Sequence, residues 1–364
     1  MPHSHKKTFY AHTMPGLERI AWGEIRTRFP EAVLQGFKQL KSKNGLVLFD
    51  FSGDARELFG LRTVEDIFVL AERIPKVPWG YEGLSQIYET VLQSPKFEQM
   101  LRFAAQVRGL RLGRRLAFRL IVRMGGIKQP YRRIDLQRSL EKALQKHSRR
   151  RWMPVDEGED VEIWANLIGL DFICGIRLSD ERMRHRDYQR IHLPASLRPS
   201  VAAAMAWLTD PQPEDVFLDP MCGTGTILIE RALLQRHALL LGGDIEEGAL
   251  FAAGENIGRK HKPRQLFHWD ARHLPFQDES IDKVASNLPF GVQMSSPKEN
   301  VRLYYPFFAE LARVLKPKGK AAILSKDSVL VKESATRALL DVRKTYSVSI
   351  LGQKAQLFLI ERRS

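Results

Sequence analysis

The spacing of apolar and polar positions along residues 1–75 predicts a small α+β unit. Apolar runs predict three strands, and apolar positions at helical spacing predict two helices, over residues 8–11, 46–51, 67–70, 17–28 and 54–61. Asp54 is placed to cap the second helix. Pro75 and Pro78 indicate a boundary after this unit.

A second α+β pattern occupies residues 76–190. It comprises two helices, a strand of nearly alternating polarity, a third helix and two further strands, over residues 87–93, 97–108, 116–123, 136–146, 160–167 and 172–177. Strands and helices that alternate around a basic rim are typical of an RNA-binding module.

From about residue 191 the pattern changes to strands that alternate with helices. The predicted strands cover residues 216–218, 238–242, 265–269, 283–286, 321–325, 347–350 and 355–360, and the predicted helices cover 200–208, 227–236, 249–258 and 304–315. This rhythm favours an α/β fold with a mostly parallel, doubly wound sheet that a terminal hairpin closes. Because such sheets bind ligands at the carboxyl ends of their strands, we expect the functional site there.

The charge of the chain is unevenly distributed. The chain has 57 Lys and Arg against 42 Asp and Glu, a net charge of +15. Residues 1–190 hold 34 basic and 23 acidic residues (net +11), whereas residues 191–364 hold 23 and 19 (net +4). Residues 99–134 contain ten basic residues and no Asp or Glu. Our RNA-binding candidates are Arg108, Arg111, Arg114, Arg115, Arg123, Lys128, Arg132 and Arg133.

A basic run often marks only a solvated surface. Here the acidic residues that usually neutralise such a surface are missing, which favours a polyanionic partner, most simply a phosphate backbone. The planar guanidinium group of Arg also suits bidentate phosphate contact. An anionic membrane surface is the weaker alternative, because glycines interrupt the run.

Composition excludes several other classes of protein. The chain is 44% hydrophobic, yet no tract approaches the roughly 18 apolar residues of a membrane span. Its first residues lack the apolar core of a signal peptide. Cys174 and Cys222 stand alone, which fits a reducing compartment and excludes a disulfide scaffold. We therefore expect a monomeric cytoplasmic protein with no membrane segment and no metal.

A glycine-rich turn follows the strand at 216–218. Its pattern, Asp219-x-x-x-Gly223-x-Gly225, lets the backbone approach a ligand at a helix N-terminus. Alone it is a weak signal, and a purely structural turn is the more common explanation. The dinucleotide fingerprint fails because Leu228 occupies its third glycine position, and the phosphate-binding P-loop pattern is absent.

Acidic residues after the neighbouring strands make the turn more informative. Asp244 follows the second strand, where a carboxylate can accept both ribose hydroxyl groups. Asp270 follows the third strand, where it could accept an exocyclic amine such as that of adenine. A single Asp after a strand is often only a helix cap. Asp219, Asp244 and Asp270 follow three successive strands, and together they predict a cofactor that contains adenosine but no pyrophosphate. This pattern indicates S-adenosylmethionine.

Residues 219–225 (DPMCGTG) resemble motif I of the class I methyltransferases that modify RNA, and residues 287–290 (NLPF) resemble their N-x-P-[FY] amino-methylation motif. Residues 9–18 and 60–62 resemble the lead-in of THUMP-domain RNA methyltransferases, and residues 76–190 are similar to the THUMP domain by pattern. Within this family the chain looks most like the tRNA (guanine-N2)-methyltransferases that act at guanosine-6 of the acceptor stem.

The resemblance implies three domains: a ferredoxin-like domain over 1–75, a THUMP domain over 76–190 and a Rossmann-like methyltransferase domain over 191–364. It implies that the cofactor-binding residues are Ser200, Asp219, Met221, Cys222, Gly223, Thr224, Gly225, Asp244, Ile245, Asp270, Ala271 and Asn287. It implies that the catalytic residues are Asn287, Leu288, Pro289 and Phe290, with Phe290 stacking on a flipped base. Ser200 is also expected to cap its helix.

The implied substrate is guanosine-6 of tRNA, held by its acceptor stem and 3′ end. Two alternatives stay open at this point. The enzyme could methylate another guanosine of tRNA or of ribosomal RNA, or the chain could be a non-catalytic RNA-binding protein. The intact set of Asp219, Asp244, Asp270 and Asn287 speaks against the second alternative.

Overall fold

The computed structural model describes residues 6–40, 44–147, 150–193, 196–289, 297–350 and 352–363, with the side chains of 297–299 excepted. These residues divide into two compact units. Unit 1 comprises the described residues of Met1–Glu18 and Ile25–Met183, and unit 2 those of Arg19–Glu24 and Arg184–Ser364.

Unit 1 is built on a mixed sheet. Its strands are β1 (Lys7–Thr13), β2 (Val33–Leu40), β3 (Asn44–Phe51), β4 (Asp66–Ile74), β5 (Arg115–Gly125), β6 (Arg151–Pro154), β7 (Val161–Ile168) and β8 (Asp171–Arg177). Its helices are α1 (Glu18–Arg28), which contributes residues to both units, α2 (Tyr81–Gln93), α3 (Pro95–Arg108) and α4 (Arg133–His147). Within the described part of the chain the sheet order is β2-β3-β1-β4-β8-β7-β5-β6.

This sheet crosses the boundary expected near residue 75. Strand β4 pairs antiparallel with β8, and Phe68 lies opposite Arg177. Strands from residues 1–75 and from residues 76–190 therefore share one set of backbone hydrogen bonds. The division into three domains over 1–75, 76–190 and 191–364 stays a prediction.

Two local expectations for unit 1 need correction. The helix expected over residues 54–61 is a 3-10 helix, Ala55–Gly60, although Asp54 does cap it by accepting from the Arg56 N–H at 2.9 Å. Strand β2 was not predicted. Its apolar alternation is interrupted by a bulge between Leu34 and Gly36, and it lies at the edge of the sheet.

Unit 2 contains the second sheet. Its strands are β9 (Val216–Asp219), β10 (Leu239–Asp244), β11 (Arg264–His268), β12 (Ile281–Asn287), β13 (Leu315–Ser325), β14 (Leu340–Ile350) and β15 (Gln353–Arg362). Its helices are α5 (Pro199–Leu208), α6 (Thr226–Leu234), α7 (Glu247–Ile257), α8 (Pro297–Val314) and α9 (Ser328–Arg337).

The order of the second sheet places its functional edge. Among the described residues it runs β11-β10-β9-β12-β13-β15-β14. Strands β9 to β13 pair in parallel, and β15 pairs antiparallel with both β13 and β14. From β9 the chain continues to β10 and β11 on one side and returns to β12 and β13 on the other. In open α/β sheets such a reversal is where ligands bind, which here means the carboxyl ends of β9 and β12. The mostly parallel α/β sheet predicted from the sequence is confirmed.

Apolar residues of the sheet and of α8 form the core on one side of unit 2. Leu218, Val284 and Ile323 belong to the same buried cluster as Phe307 and Leu311. The strands supply consecutive buried residues because helices cover both faces of a parallel sheet. This packing holds the strand ends in fixed register.

Helix α5 differs from the prediction at its start. Arg198 is the N-cap and makes no side-chain cap hydrogen bond, and the helix begins at Pro199. Ser200 therefore lies inside the first turn, buried, and does not cap the helix as expected. Proline at the first helical position explains the start, because its missing N–H needs no partner there.

Within the described ranges, no helix is long and apolar enough to cross a membrane. The same ranges contain no group of three or more His, Cys, Asp or Glu residues placed to hold a metal ion.

Candidate active site

Three of the predicted polar residues end parallel strands of unit 2. Asp219 is the last residue of β9, Asp244 of β10 and Asn287 of β12. The paired strands run in register, so these side chains lie at one edge of the sheet. Asp270 lies two residues beyond the end of β11 at His268. These polar side chains are far apart in the sequence, and the sheet brings them to the same edge.

The glycine-rich turn has the backbone conformation that its glycines predict. Gly223 has φ 51° and Gly225 has φ 76°, both in the left-handed region that disfavours other residues. A Cβ at Gly225 would lie 3.2 Å from the Ala253 side chain, whereas a Cβ at Gly223 would meet nothing within 4 Å. Gly225 therefore packs against α7, and the backbone at Gly223 stays open to a ligand.

Backbone hydrogen bonds tie the turn to β10. The Cys222 N–H donates to the Gly243 carbonyl at 2.8 Å, and the Gly225 N–H donates to the Cys222 carbonyl at 2.8 Å. Burial raises the pKa of the Cys222 thiol well above its usual range, so the thiol stays protonated and fills space. Thr224 is buried, and its carbonyl accepts from the Asn256 side chain of α7 at 3.1 Å. The turn is therefore held from two sides.

Asp219 is a buried carboxyl group at the centre of the edge. Its Oδ1 accepts from the Ser286 hydroxyl at 3.2 Å and from the Met221 N–H at 3.3 Å. Its Oδ2 is buried and has no hydrogen-bond partner among the described residues. Burial raises the pKa of Asp219 to about 8 because the ionised form loses its hydration.

Asp244 supports the turn and stays accessible for a ligand. Its Oδ2 accepts from the Gly223 N–H at 2.8 Å, and its Oδ1 accepts from the Glu246 N–H at 3.1 Å. Each carboxylate oxygen has two lone pairs, so both can accept a further hydrogen bond. The next residue, Ile245, is 57% exposed. An apolar side chain so placed suits contact with a flat ring.

Asp270 is engaged by a neighbour that the sequence did not indicate. The Arg272 guanidinium donates to both oxygens of Asp270, with Nε–Oδ1 at 3.0 Å and Nη2–Oδ2 at 2.5 Å. These hydrogen bonds hold the pKa of Asp270 below its usual range. Ala271 is buried. The role of Asp270 toward an exocyclic amine stays a prediction.

Asn287 presents an acceptor at the end of β12. Its side-chain Oδ1 is buried and has no hydrogen-bond partner within the described residues. Leu288 is fully buried, and its N–H donates to the Leu324 carbonyl of β13 at 3.0 Å. Pro289 follows, and Phe290 lies outside the described residues.

The sequence did not point to Ser286, Tyr304 or Ser325 as part of this site. Ser286 bonds Asp219, and the Tyr304 hydroxyl donates to the Pro289 carbonyl at 3.1 Å and contacts Ser325 Oγ at 2.9 Å. Ser286 directly precedes Asn287, and this position next to a predicted catalytic residue could have identified it from the sequence. Tyr304 and Ser325 carry no local signal, because only the packing of α8 and β13 brings them to the motif.

The predicted RNA-binding residues all lie in unit 1, with different surroundings. The exposed members are Arg111, Arg114, Arg115, Lys128, Arg132 and Arg133. Arg108 is half-buried and donates to the Asp160 carbonyl at 3.1 Å, and burial lowers its pKa. Arg123 lies 4.5 Å over the Trp164 ring. These two arginines therefore also have structural contacts.

Comparison with protein families decides the class of unit 2. Residues 186–356 match the family model described as UPF0020, RMKL-like, methyltransferase domain. Residues 186–356 are thus similar to the methyltransferase domains of this family. The methyltransferase class predicted from the two motifs is thus confirmed for the part of the chain that contains them.

Curated relatives extend the likeness beyond the methyltransferase domain. The chain is 31% identical over 265 residues to mouse (Mus musculus) "tRNA (guanine(6)-N(2))-methyltransferase THUMP3", a match that covers 67% of the chain. The chain spans about half, 51%, of that relative's length. It is also 26% identical over 327 residues to a Thermus thermophilus "tRNA (guanine(6)-N2)-methyltransferase", covering 89% of the chain and 90% of that protein.

A solved structure has the same fold. The crystal structure of TrmN from Thermus thermophilus superposes with a TM-score of 0.77 at 23% identity, covering 98% of this chain and 100% of that one. The fold therefore extends over both units and not only over the methyltransferase domain.

The raised pKa of Asp219 predicts a pH dependence for the free energy of unfolding. Between the ordinary value of 3.8 and about 8, the folded protein keeps a proton that the unfolded chain has lost. Stability from this group is therefore present at low pH and lost as the pH rises toward 8. Asp219→Asn removes this titration, so urea unfolding from pH 5 to 9 should show the variant gaining stability relative to wild type up to about pH 8.

The matched control for this experiment is Asp187→Asn, an exposed carboxyl group in the same unit. Its stability difference from wild type is expected to stay constant over the same pH range. Parallel pH profiles for Asp219→Asn and wild type would show that Asp219 is ionised in the folded protein, against the assignment.

Proposed function

We propose that the protein is an S-adenosylmethionine-dependent RNA methyltransferase that modifies the exocyclic N2 of a guanosine in tRNA, at guanosine-6 of the acceptor stem. The observation that carries this proposal is the buried Asn287 Oδ1, which has no hydrogen-bond partner in the described part of the protein. It lies at the strand end where the methyltransferase motif NLPF begins. A buried acceptor left without a donor costs about 1–3 kcal/mol, and an amino group of the substrate would satisfy it.

The residues at the strand ends suit S-adenosylmethionine. Asp244 would accept the ribose hydroxyl groups, and the backbone at Gly223 gives close approach at the start of α6. The buried Asp219 Oδ2 has no partner among the described residues. Because Oδ1 already accepts two hydrogen bonds and the raised pKa keeps the group protonated at neutral pH, Oδ2 would donate to the cofactor. Ile245 would contact the adenine ring. When bound, this cofactor supplies an electrophilic methyl group on a sulfonium.

Asn287 and Leu288 would act by orienting the guanine amino group. A guanine amino group is a poor nucleophile because its lone pair is delocalised into the ring. Two acceptors, Asn287 Oδ1 and the Leu288 carbonyl, would hold its N–H bonds and direct the nitrogen lone pair at the methyl group. Orientation of this kind supplies much of the rate in such reactions. The methylated nitrogen becomes acidic and sheds its proton, so no strong general base is required.

The exposed basic and aromatic residues of unit 1 support an RNA substrate. The six exposed members of the predicted RNA-binding set suit phosphate contact. Trp79 and Tyr81 are 61% and 64% exposed, and the Trp79 Nε1–H donates to the Lys128 carbonyl at 3.0 Å. Exposed aromatic rings beside basic residues suit stacking with unpaired bases, at about 1–3 kcal/mol per base. The aromatic pair was not among the residues predicted from the sequence.

The choice of tRNA and of guanosine-6 rests on the names of the relatives. The mouse and Thermus thermophilus proteins are both named for guanine-6 of tRNA. The alternative substrate is another guanosine of tRNA, or a ribosomal RNA. The chemistry of the site is the same for this alternative and for guanosine-6. The position depends on the distance between the RNA-binding surface and the site.

Mapping the modified nucleoside tests this function. The protein is incubated with S-adenosylmethionine and total tRNA from a strain that lacks it, and the product is located by nuclease mapping and mass spectrometry. We expect N2-methylguanosine at position 6. Asn287→Ala should abolish transfer, because one of the two amine acceptors is removed, while S-adenosylmethionine affinity stays within about twofold.

Other outcomes of this experiment contradict parts of the account. Methylation of a ring nitrogen, a ribose or an adenine would exclude the guanine-N2 assignment. N2-methylguanosine at another tRNA position would exclude guanosine-6 and favour the alternative substrate, another guanosine of tRNA. Equal losses of transfer and of cofactor affinity in Asn287→Ala would exclude its catalytic role.

The basic surface generates a separate prediction. Replacing the exposed Arg111, Arg114 and Arg115 with Gln should weaken tRNA binding about tenfold or more at low salt. The slope of log K against log salt should fall by about one unit for each arginine–phosphate pair that the substitutions remove. The transfer rate at saturating tRNA should change little, because these residues lie outside the methyltransferase domain. Filter binding over a salt series measures both quantities.

The control for this triple variant removes the same charge elsewhere. Lys318, Lys332 and Lys344 are exposed residues of unit 2, and their replacement with Gln also lowers the net charge by three. This control should retain most of the wild-type affinity and salt slope. Equal weakening by the two triple variants would mean that only net charge matters, and unchanged binding of the Arg variant would place the RNA surface elsewhere.

A further inference from the structure

The backbone around Leu288 is held at both of its neighbouring peptide groups. On one side the Leu288 N–H donates to the Leu324 carbonyl of β13 at 3.0 Å, a bond that a proline at this position could not make. On the other side the Pro289 carbonyl accepts from the Tyr304 hydroxyl at 3.1 Å. The Leu288 carbonyl lies between these two anchors, and the ring of Pro289 fixes one of the intervening torsions.

The second anchor is the end of a directed chain of hydrogen bonds. The Asp327 N–H donates to Ser325 Oγ at 3.0 Å, and Ser325 Oγ lies 2.9 Å from the Tyr304 hydroxyl. Since Ser325 accepts from Asp327 and Tyr304 donates to Pro289, the Ser325 hydroxyl donates to Tyr304. The Ser325 and Tyr304 hydroxyl groups therefore each donate one hydrogen bond along this series. Successive donors polarise one another, which strengthens the last bond to the Pro289 carbonyl.

The Tyr304 hydroxyl is well placed for a fixed, donating role. The residue is fully buried in α8, within the cluster that includes Phe307 and Phe308. Burial raises the pKa of Tyr304 to about 12, so the hydroxyl keeps its proton throughout the working pH range. A buried tyrosine in an apolar cluster needs a partner for its hydroxyl, and here the partner is the backbone of the catalytic motif.

We propose that Tyr304 is a positioning residue for methyl transfer: its hydroxyl fixes the Pro289 peptide and thereby aims the Leu288 carbonyl at the amino group of the substrate. This inference rests on the proposed function, because it concerns the acceptor for the guanine amine. A proline at position 288 would restrict the backbone of the motif through its own ring, and Leu288 has no such ring. The hydrogen bonds to Leu324 of β13 and from Tyr304 of α8 restrict the backbone instead.

Tyr304→Phe tests the proposal in the full-length protein. Phenylalanine keeps the ring in the cluster and removes only the hydroxyl. The single-turnover rate at saturating tRNA and S-adenosylmethionine should fall about 10- to 100-fold, as small misplacements of a reacting group do. The Kd for S-adenosylhomocysteine should stay within about twofold, because Asp219, Asp244 and the glycine turn are untouched.

Tyr305→Phe is the matched control. Tyr305 is the next residue of the same helix, and its hydroxyl donates to the exposed Glu333 at 3.2 Å. This variant loses the same atom from the same kind of residue and should keep the wild-type rate. A Tyr304→Phe rate within twofold of wild type would overturn the proposal. An equal loss of rate and of S-adenosylhomocysteine affinity would also overturn it, because the hydroxyl would then support the whole site.

Hydrogen–deuterium exchange gives a readout that does not depend on activity. With S-adenosylhomocysteine added, the amides of Asn287 and Leu288 should exchange several-fold faster in Tyr304→Phe than in wild type or Tyr305→Phe. Equal exchange in all three proteins would overturn the positioning role. If wild type methylates no RNA, the proposed function fails, and the exchange result still decides whether Tyr304 holds the motif.

Discussion

The parallel pairing of β9 with β10 and β12 is the constraint on which the site depends. Parallel strands end at the same edge of a sheet, so one polar residue after each apolar run becomes part of one cluster. Asp219, Asp244 and Asn287 meet in this way although 68 residues separate the first from the last. The Asp219–Ser286 hydrogen bond then joins the ends of the neighbouring strands β9 and β12 directly.

Burial gives the two central groups of this cluster their chemical character. Asp219 and Asn287 each present a buried oxygen that has no partner among the described residues, a costly arrangement for a protein without a ligand. Such a cost is typical of sites whose hydrogen-bond partners come from bound molecules. The apolar core beneath, from the strands and α8, keeps these oxygens from relaxing toward other partners.

The parts of this site that follow a local pattern could be predicted from the sequence, and the parts that depend on packing could not. Asp219, Asp244 and Asn287 each follow an apolar run, which identifies a strand end. The engagement of Asp270 by Arg272 depends on side-chain conformation. Tyr304 reaches the motif only through the packing of α8. Likewise β2 escaped prediction because a bulge interrupts its alternation, and the shared sheet of unit 1 depends on the long-range pairing of β4 with β8.

The central claim is that the strand ends of the methyltransferase domain hold an adenosyl cofactor through Asp244. Calorimetric titration with S-adenosylhomocysteine into wild type and Asp244→Asn tests it most directly. We expect one site in wild type and an affinity at least about tenfold lower in the variant, since a hydrogen bond to a charged group contributes about 1.5–3 kcal/mol. No binding to wild type, or equal affinity in the two proteins, would contradict the account.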